Sequence, residues 1–342
     1  MSGTEFGAAL HDMLADADVP GAARRWADGD LAPGLALWKR LAGMGVTALA
    51  VPEAWGGLGA SPLDLVVACE ELSHHALPGP VAESLAAVPV LLAALAETGG
   101  PPGGRGSCGE WLAGLAAGDL IATLAMPPWL PYAADAEAAG LVLLAGDGAV
   151  YRAYRVRPGA GHRSVDPARS LSEVRGEQVL AHLARDVGAA RVLDFGALAC
   201  SAQLLGAGRA LLEASVRHAG TRAQFGRPVG AFQAVKHKLA DVAIGLDFAR
   251  PLLDAAALSL ADGALGDGAG TAGRDVSAAK VACAGAAYRA ARAALQVHGA
   301  IGYTAEHDLS LWLAKVRALV PAWGSQADHR ARVMREVTGE LA

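Results

Sequence analysis

The composition of the chain excludes several classes of protein before any motif is considered. Of its 342 residues, 53% are apolar and only 18% are charged, which is too hydrophobic for a disordered chain. The net charge of −5 and the lack of a basic cluster argue against nucleic-acid binding. The longest apolar run, residues 85–96, is shorter than the ~20 residues that span a bilayer, so we expect no membrane segment. Four scattered cysteines, in neither zinc-ligand nor disulfide-framework spacing, are typical of a cytoplasmic protein.

The first part of the chain, residues 1–119, is predicted to form helices joined by Gly and Pro turns. Its alanine content favours helix, since alanine has the highest helix propensity. Apolar residues from Leu35 to Met44 recur at helical spacing, and Gly45 is a natural stop for that helix. Ser61 is placed to cap the next helix. The His74-His75 pair that follows is expected to be a solvated helix end.

The rest of the chain is predicted to form a reduced middle β domain over residues 120–188, followed by a four-helix bundle over residues 189–342. Three segments have strand character: 120–126, 141–145 and 149–156. Residues 146–148 are expected to form the hairpin turn between the last two strands. Four stretches rich in Ala and Leu then have helical character: 191–219, 230–261, 275–298 and 308–337. The predicted fold class is therefore mainly α.

Two segments of the last part carry specific motifs. One is Arg222-Ala223-Gln224-Phe225-Gly226-Arg227-Pro228-Val229, followed by Phe232-Gln233; the other is Gln296-Val297-His298-Gly299-Ala300-Ile301-Gly302-Tyr303. Together they resemble the acyl-CoA dehydrogenase family, whose last domain carries R-x-x-F-G-x-P-I, a following F-Q, and Q-x-x-G-G-x-G-[YF]. Further upstream, Trp38 to Gly59 and Glu70-Glu71-Leu72 resemble other family segments in the same order. The resemblance covers nearly the whole chain and is weakest between residues 120 and 160.

This resemblance implies FAD as the cofactor and a set of residues that contact it. In the family, FAD lies at a subunit interface, and the bundle supplies residues to a neighbour's flavin. The residues at matching positions are Arg222, Gln224, Phe225, Gln233, Gln296, Val297, His298, Gly299, Ala300 and Ser325. A guanidinium matches phosphate oxygens, and glycine allows a backbone to approach a nucleotide closely. Taken singly, each residue has a structural alternative, such as a surface arginine, a core phenylalanine or a glycine that ends a helix.

The chain departs from the family at the catalytic base. Family members remove the α-proton of an acyl thioester with a carboxylate, in most cases the Glu of a Y-E-G-T segment. Here that segment is Ala322-Trp323-Gly324-Ser325, and an indole has no proton acceptor near neutral pH. The family's other base position falls at Gly196; nearby Asp194 is expected to lead into a helix beginning near Phe195. We therefore predict no catalytic residue, and expect the remaining candidates to be structural or solvated: His298, Glu306, Asp328 and His329.

The chain also departs from the family in the domain that covers the flavin, where Met126-Pro127-Pro128-Trp129 replaces the family's T-E-P-x-x-G-S-D. The departures therefore affect the catalytic base and the flavin cover, whereas the Arg222 motif is retained. This asymmetry leads to the hypothesis of a base-lacking subunit that works with a longer acyl-CoA dehydrogenase subunit on an acyl-CoA thioester. The chain then resembles the short subunits of actinobacterial heterotetramers that act on steroid side-chain CoA esters. An electron-transfer flavoprotein is the electron acceptor that the resemblance implies. Two alternatives stay open: a self-associating enzyme of atypical chemistry in a biosynthetic pathway, and a scaffold subunit without flavin.

Overall fold

The computed structural model describes residues 3–97, 107–146, 149–155, 162, 164–182, 188–262 and 269–339. Within these ranges a small sheet lies between two helical parts of the chain, and most residues are helical. The predicted fold class, mainly α with a small β unit, is confirmed. A continuous hydrophobic core joins the N-terminal helices, the sheet and the C-terminal helices.

Six α-helices are described in the N-terminal part: α1 (Gly3–Ala15), α2 (Val19–Ala27), α3 (Ala32–Gly43), α4 (Pro62–His74), α5 (Val88–Glu97) and α6 (Cys108–Ala117). Gly45, with a φ of 79°, turns the chain after α3, as predicted. Ser61 caps α4, also as predicted, because its hydroxyl accepts a hydrogen bond from the Asp64 N–H. The prediction of a solvated end at His74-His75 is wrong. His74 is the last residue of α4 and only 7% exposed, because the ring of His11 on α1 packs over it.

The middle part contains a four-stranded sheet with the order β1 (Ala122–Ala125), β3 (Leu141–Gly146), β4 (Ala149–Arg155), β6 (Val174–His182). β1 and β3 are parallel, and the other neighbours are antiparallel. The three predicted strands are present, whereas β6 was not predicted because its first half is polar. β2 (Ala133–Ala134) and β5 (Leu171–Ser172) form a separate short ladder. The predicted hairpin turn includes residues 147–148, which lie outside the described residues.

The C-terminal bundle contains α7 (Gly188–Thr221), α8 (Gln233–Asp262), α9 (Ala269–His298), α10 (Leu309–Leu319) and α11 (Gln326–Thr338). The prediction of one helix over 308–337 is wrong, because Trp323 and Gly324 have φ values of 60° and 97° and interrupt it. The prediction for Asp194 is also wrong: α7 begins at Gly188, so this residue lies inside the helix. A hairpin of β7 (Ala223–Gln224) and β8 (Arg227–Pro228) links α7 to α8.

Helix α7 is the central axis of the bundle. By length and composition alone it could cross a membrane, but 89% of its most apolar window is buried inside the protein. It packs against α4, α8 and α9, and a helix that is apolar on all sides is expected in such a position. Its 34 residues extend over about 51 Å. The candidate functional residues lie near its two ends.

Candidate functional site

The first group of predicted residues lies on an exposed hairpin at the C-terminal end of α7. Phe225 and Gly226 occupy the turn between β7 and β8 with φ values of 54° and 79°, as a tight two-residue hairpin turn requires. The Phe225 side chain is 92% exposed and packs edge-on to Phe232. Arg222, Gln224 and Gln233 are exposed as well. Their donors therefore face outward, away from the core of their own chain.

The second group lies beside the first, at the end of α9. Gly299 has a φ of 65° and ends the helix, while Gln296 and Ala300 are exposed and Val297 is half-buried. The His298 ring instead turns inward and stacks on His218 at 4.3 Å between ring centroids. His218 lies one turn before Arg222 on α7, so the structure brings the two motifs together.

The His298 side chain points inward and contacts groups of its own chain. Its Nδ1 lies 2.8 Å from the Ala294 carbonyl oxygen, and burial lowers the pKa of this histidine. Only the backbone of this residue is free to face a cofactor. The expectation that His298 is structural rather than a base agrees with this packing.

Ser325 lies far from both groups. Its segment packs near Gly196, which precedes Arg222 by 26 residues on α7, a separation of about 39 Å. Ser325 is the N-cap of α11: its hydroxyl donates to the Asp328 carboxylate at 2.6 Å and accepts from the Asp328 N–H at 3.2 Å. Its contact with a cofactor stays a prediction, and any such contact involves a different site from that of Arg222.

Replacing Ser325 with alanine is expected to lower the free energy of unfolding by about 1 kcal/mol through loss of the helix cap. Ser61→Ala is a matched control, because Ser61 forms the same capping box with Asp64 at the start of α4. Urea unfolding of the two variants should give similar losses. A loss at Ser325 that is several-fold larger, or one accompanied by loss of flavin, would show a role beyond the cap.

The two base positions predicted from the sequence meet in space. A Cβ atom added to Gly196 would overlap the six-membered ring of the Trp323 indole. Trp323 is 1% exposed, so its side chain fills the volume that a carboxylate at either position would need. The nearby carboxylate of Asp194 forms an ion pair with Arg332, which donates to both of its oxygens. Within the described residues, neither base position therefore presents a proton acceptor.

A buried carboxyl group that sequence reasoning missed lies beside Trp323. Glu83 is 3% exposed and lines a cavity of about 10 Å³ together with Trp323, Arg169 and Lys315. Burial raises the pKa of Glu83, and Arg169 at 3.8 Å offsets this only in part. The cavity holds about one water molecule, not an acyl thioester. The signal that could have identified Glu83 is its charge within an otherwise apolar stretch after Pro80.

The turn that contains Trp323 is closed on its other side too. Trp129, from the segment after β1, packs so closely on Gly324 that a Cβ there would lie 3.0 Å from its ring. His329 is fully buried; its Nε2–H donates to the Trp323 carbonyl at 2.8 Å, and its Nδ1 lies 3.0 Å from the Ser277 hydroxyl. Buried Lys280 donates to the last carbonyls of α10 at 3.0–3.2 Å. These contacts make His329 structural, as expected.

The two ends of α7 therefore differ in how well they fit FAD. At the Trp323 turn, Trp129, Trp323 and His329 occupy the space, so a flavin ring does not fit against Gly324. At the Arg222 end, exposed guanidinium and amide donors suit phosphate and polar ring edges. The chain can contribute to a nucleotide site that is completed outside this protomer.

The chain is similar to known proteins in both sequence and fold. Two family profiles match the chain: "Acyl-CoA dehydrogenase, N-terminal domain" over residues 4–101 and "Acyl-CoA dehydrogenase, C-terminal domain" over residues 187–338. The acyl-CoA dehydrogenase IpdE2 of Mycobacterium tuberculosis is 29% identical over 304 residues, covering 88% of this chain and 86% of IpdE2. Two solved structures share the fold. The steroid ACAD Tcur3481-Tcur3483 (G363A variant) has a TM-score of 0.81 at 20% identity, with 98% of each chain covered. The ChsE4-ChsE5 complex of M. tuberculosis has a TM-score of 0.78 at 24% identity, with 99% of this chain and 98% of the other covered.

Proposed function

The chain belongs to the acyl-CoA dehydrogenase family, and from this premise we propose that it is the base-lacking subunit of a heteromeric complex that dehydrogenates an acyl-CoA thioester. The observation that carries the proposal is the contact between Trp323 and Gly196, which fills both base positions at once. The carboxylate and the acyl-binding cavity then belong to a longer partner subunit. An electron-transfer flavoprotein is the proposed electron acceptor, and the cytoplasm the proposed location.

The exposed surface of the bundle supports a partner subunit. On α8, Ile244, Phe248 and Leu252 follow one another at helical spacing and are 51%, 74% and 44% exposed. Together with Phe225 at the hairpin, they leave apolar side chains in water that an oligomer interface would bury. One solved structure with this fold is a complex of two differently named chains, ChsE4 and ChsE5. We therefore favour a hetero-oligomer over association with itself.

In the proposed complex, this chain binds and orients the cofactor of its partner. FAD, when bound, accepts the hydride that leaves the β-carbon of the acyl chain. Arg222 would pair with the pyrophosphate through its guanidinium, and the Gln224 and Gln233 amides would hydrogen-bond nearby. Phe225 would cover an apolar part of the cofactor. The exposed backbone at the end of α9, from Gln296 to Ala300, would approach the adenosine side, where the positive φ of Gly299 turns the chain.

Replacing Arg222 with alanine is expected to weaken flavin binding by roughly 10- to 100-fold, the usual value of a hydrogen bond to a charged group. The chain would be co-expressed with its longer genomic neighbour, and the ratio of flavin absorbance to protein measured after gel filtration. Arg217→Ala is the matched control, since Arg217 is 72% exposed and lies in the last part of α7, just before Arg222. Unchanged flavin content in an intact complex would remove Arg222 from the cofactor site. A complex without flavin in any form would favour the scaffold alternative.

The surroundings of Glu83 favour a second candidate function. Glu83 is a buried carboxyl group beside Trp323, and such groups are typical general acids or bases, so in the second candidate the chain alone performs atypical chemistry in a biosynthetic pathway. Because the cavity there holds only about one water molecule, this candidate requires the turn at Trp323 to open for a substrate. Glu83→Gln separates the two candidates. Full activity of the complex in this variant supports the base-lacking subunit. A yellow homo-oligomer that is active as purified and inactive as Glu83→Gln supports the second candidate.

A further inference from the structure

We propose that His11, His74 and His75 form a binding site for a divalent transition-metal ion of the zinc class, where α1 crosses the C-terminal end of α4. The site lies outside the residues assigned to flavin and base chemistry. His11 comes from the middle of α1, whereas His74 ends α4 and His75 follows it. The site would therefore join two helices through ligands, His11 and His75, that lie 64 residues apart in the chain.

The geometry of the three rings suits a single metal ion. Each pair of ring centroids lies 4.7–5.3 Å apart, and each ring offers a nitrogen such that all three atoms lie within 4.8 Å of one another. His75 Nε2 and His11 Nδ1 are 3.1 Å apart. Two nitrogens on one tetrahedral zinc ion at 2.0–2.1 Å are about 3.3 Å apart, so this pair is close to ligand spacing.

The hydrogen bonds of the cluster are poorly matched without a cation. His11 Nδ1 faces both the Glu71 Oε2 atom at 3.0 Å and His75 Nε2 at 3.1 Å. A carboxylate only accepts hydrogen bonds, so His11 Nδ1 must be protonated and donate to Glu71. His75 Nε2 is then unprotonated, and its lone pair competes with Glu71 for the same proton. Buried His74 Nδ1 has no hydrogen-bond partner among the described residues. A metal ion in place of the shared proton would satisfy these lone pairs.

The surroundings of the three rings also suit metal binding, because metal ligands are held in orientation by the groups behind them. Glu71 Oε2 lies 3.0 Å from His11 Nδ1, and Arg209 fixes that carboxylate by donating to its other oxygen at 2.9 Å, so Glu71 can hold the His11 ring in place. The His11 side chain is 40% exposed, which leaves a path for the ion.

A second histidine group in the protein serves as a contrast. His218, His298 and His307 also pack ring against ring, at 4.3 and 5.4 Å. In that group His298 Nδ1 faces a backbone carbonyl and His307 Nδ1 accepts from the Leu309 N–H, so these nitrogens are already used. Within the described residues, the His11 group is the one that places three possible ligand atoms within 4.8 Å of one another.

The test is calorimetric titration of Zn²⁺ into the untagged, chelator-treated full chain at neutral pH. We expect one ion per chain and a melting temperature that rises with zinc. His11→Ala and His75→Ala should each weaken binding by at least roughly tenfold, because even the partners behind metal ligands contribute that much. His162→Ala is the matched control, since it removes another histidine–carboxylate pair, with Glu173 at 3.0 Å.

Two results would overturn the proposal. One is an affinity in the native chain no higher than in His75→Ala; the other is equal weakening by His162→Ala, which would indicate scattered surface binding. Because His11 is partly exposed, its variant should fold, and its circular dichroism spectrum checks this directly. A visible absorption spectrum of four-coordinate Co²⁺ in the native chain, lost in His11→Ala, gives a second readout independent of stability.

Discussion

Replacing Trp323 with alanine is expected to lower the free energy of unfolding by about 3–5 kcal/mol. The indole is 1% exposed and packs against Gly196 on one side and the Glu83 cavity on the other. Its removal leaves a void that the rigid helix α7 cannot collapse to fill. Urea unfolding of the purified chain measures the loss. Trp111→Ala, which truncates a half-buried tryptophan of α6, is the control and should lose much less.

The contact between Gly196 and Trp323 predicts that Gly196→Ala has opposite effects on stability in the native chain and in the Trp323→Ala chain. In the native chain, Gly196→Ala should be destabilising by about 1–3 kcal/mol, because its Cβ overlaps the Trp323 ring. In the Trp323→Ala chain the same substitution should stabilise by up to about 1 kcal/mol, since alanine is the better helix former. A double-mutant cycle measures this coupling. Equal effects of Gly196→Ala in both backgrounds would mean that the two base positions do not fill each other.

Lowering the pH from 6.5 to 4 is expected to cost about 3 kcal/mol of stability through His329 alone. Burial lowers the pKa of His329 from 6.5 to about 4 in the folded chain. Between these values the unfolded chain binds more protons than the folded chain, so stability falls as the pH drops. Above pH 6.5 both states are neutral at this ring, and the contribution is fully present. Below pH 4 both states are protonated, and the loss is complete.

Denaturant unfolding at a series of pH values, in the presence of a chelator, tests the role of His329. The His329→Gln chain should show a shallower dependence of stability on pH than the native chain, because the titrating group is gone. His237→Gln, at an exposed position on α8, serves as the control and should retain the native slope. Parallel curves for the native and His329→Gln chains would contradict the prediction.

Local sequence patterns located most of the secondary structure because one face of each helix or strand is buried. The predicted stretches 191–219 and 230–261 end within three residues of α7 and α8. The break between α10 and α11 was missed, because it depends on Trp323 taking a positive φ. A tryptophan has no local preference for that conformation. Packing against Gly196, 127 residues earlier in the chain, holds it there.

The candidate sites also differ in how far the sequence alone predicts them. The Arg222 hairpin is encoded in a short contiguous motif, so its exposure at the end of a helix could be anticipated. The closed turn depends on Trp129 meeting Gly324, and the proposed metal site on His11 meeting His75. These pairs come from distant parts of the chain. Only the folded arrangement reveals them, because no spacing within the sequence links their members.

The mutual filling of the two base positions has an evolutionary consequence. A glutamate introduced at Gly196 meets the indole, and a glutamate introduced at Trp323 replaces that indole with a buried charge beside the buried Glu83. Neither single step yields a working base, and each carries a stability penalty that selection would act against. In the proposed base-lacking subunit, regaining a base at either position therefore needs at least two coordinated substitutions. On this proposal, the chain depends on a partner subunit that retains the carboxylate.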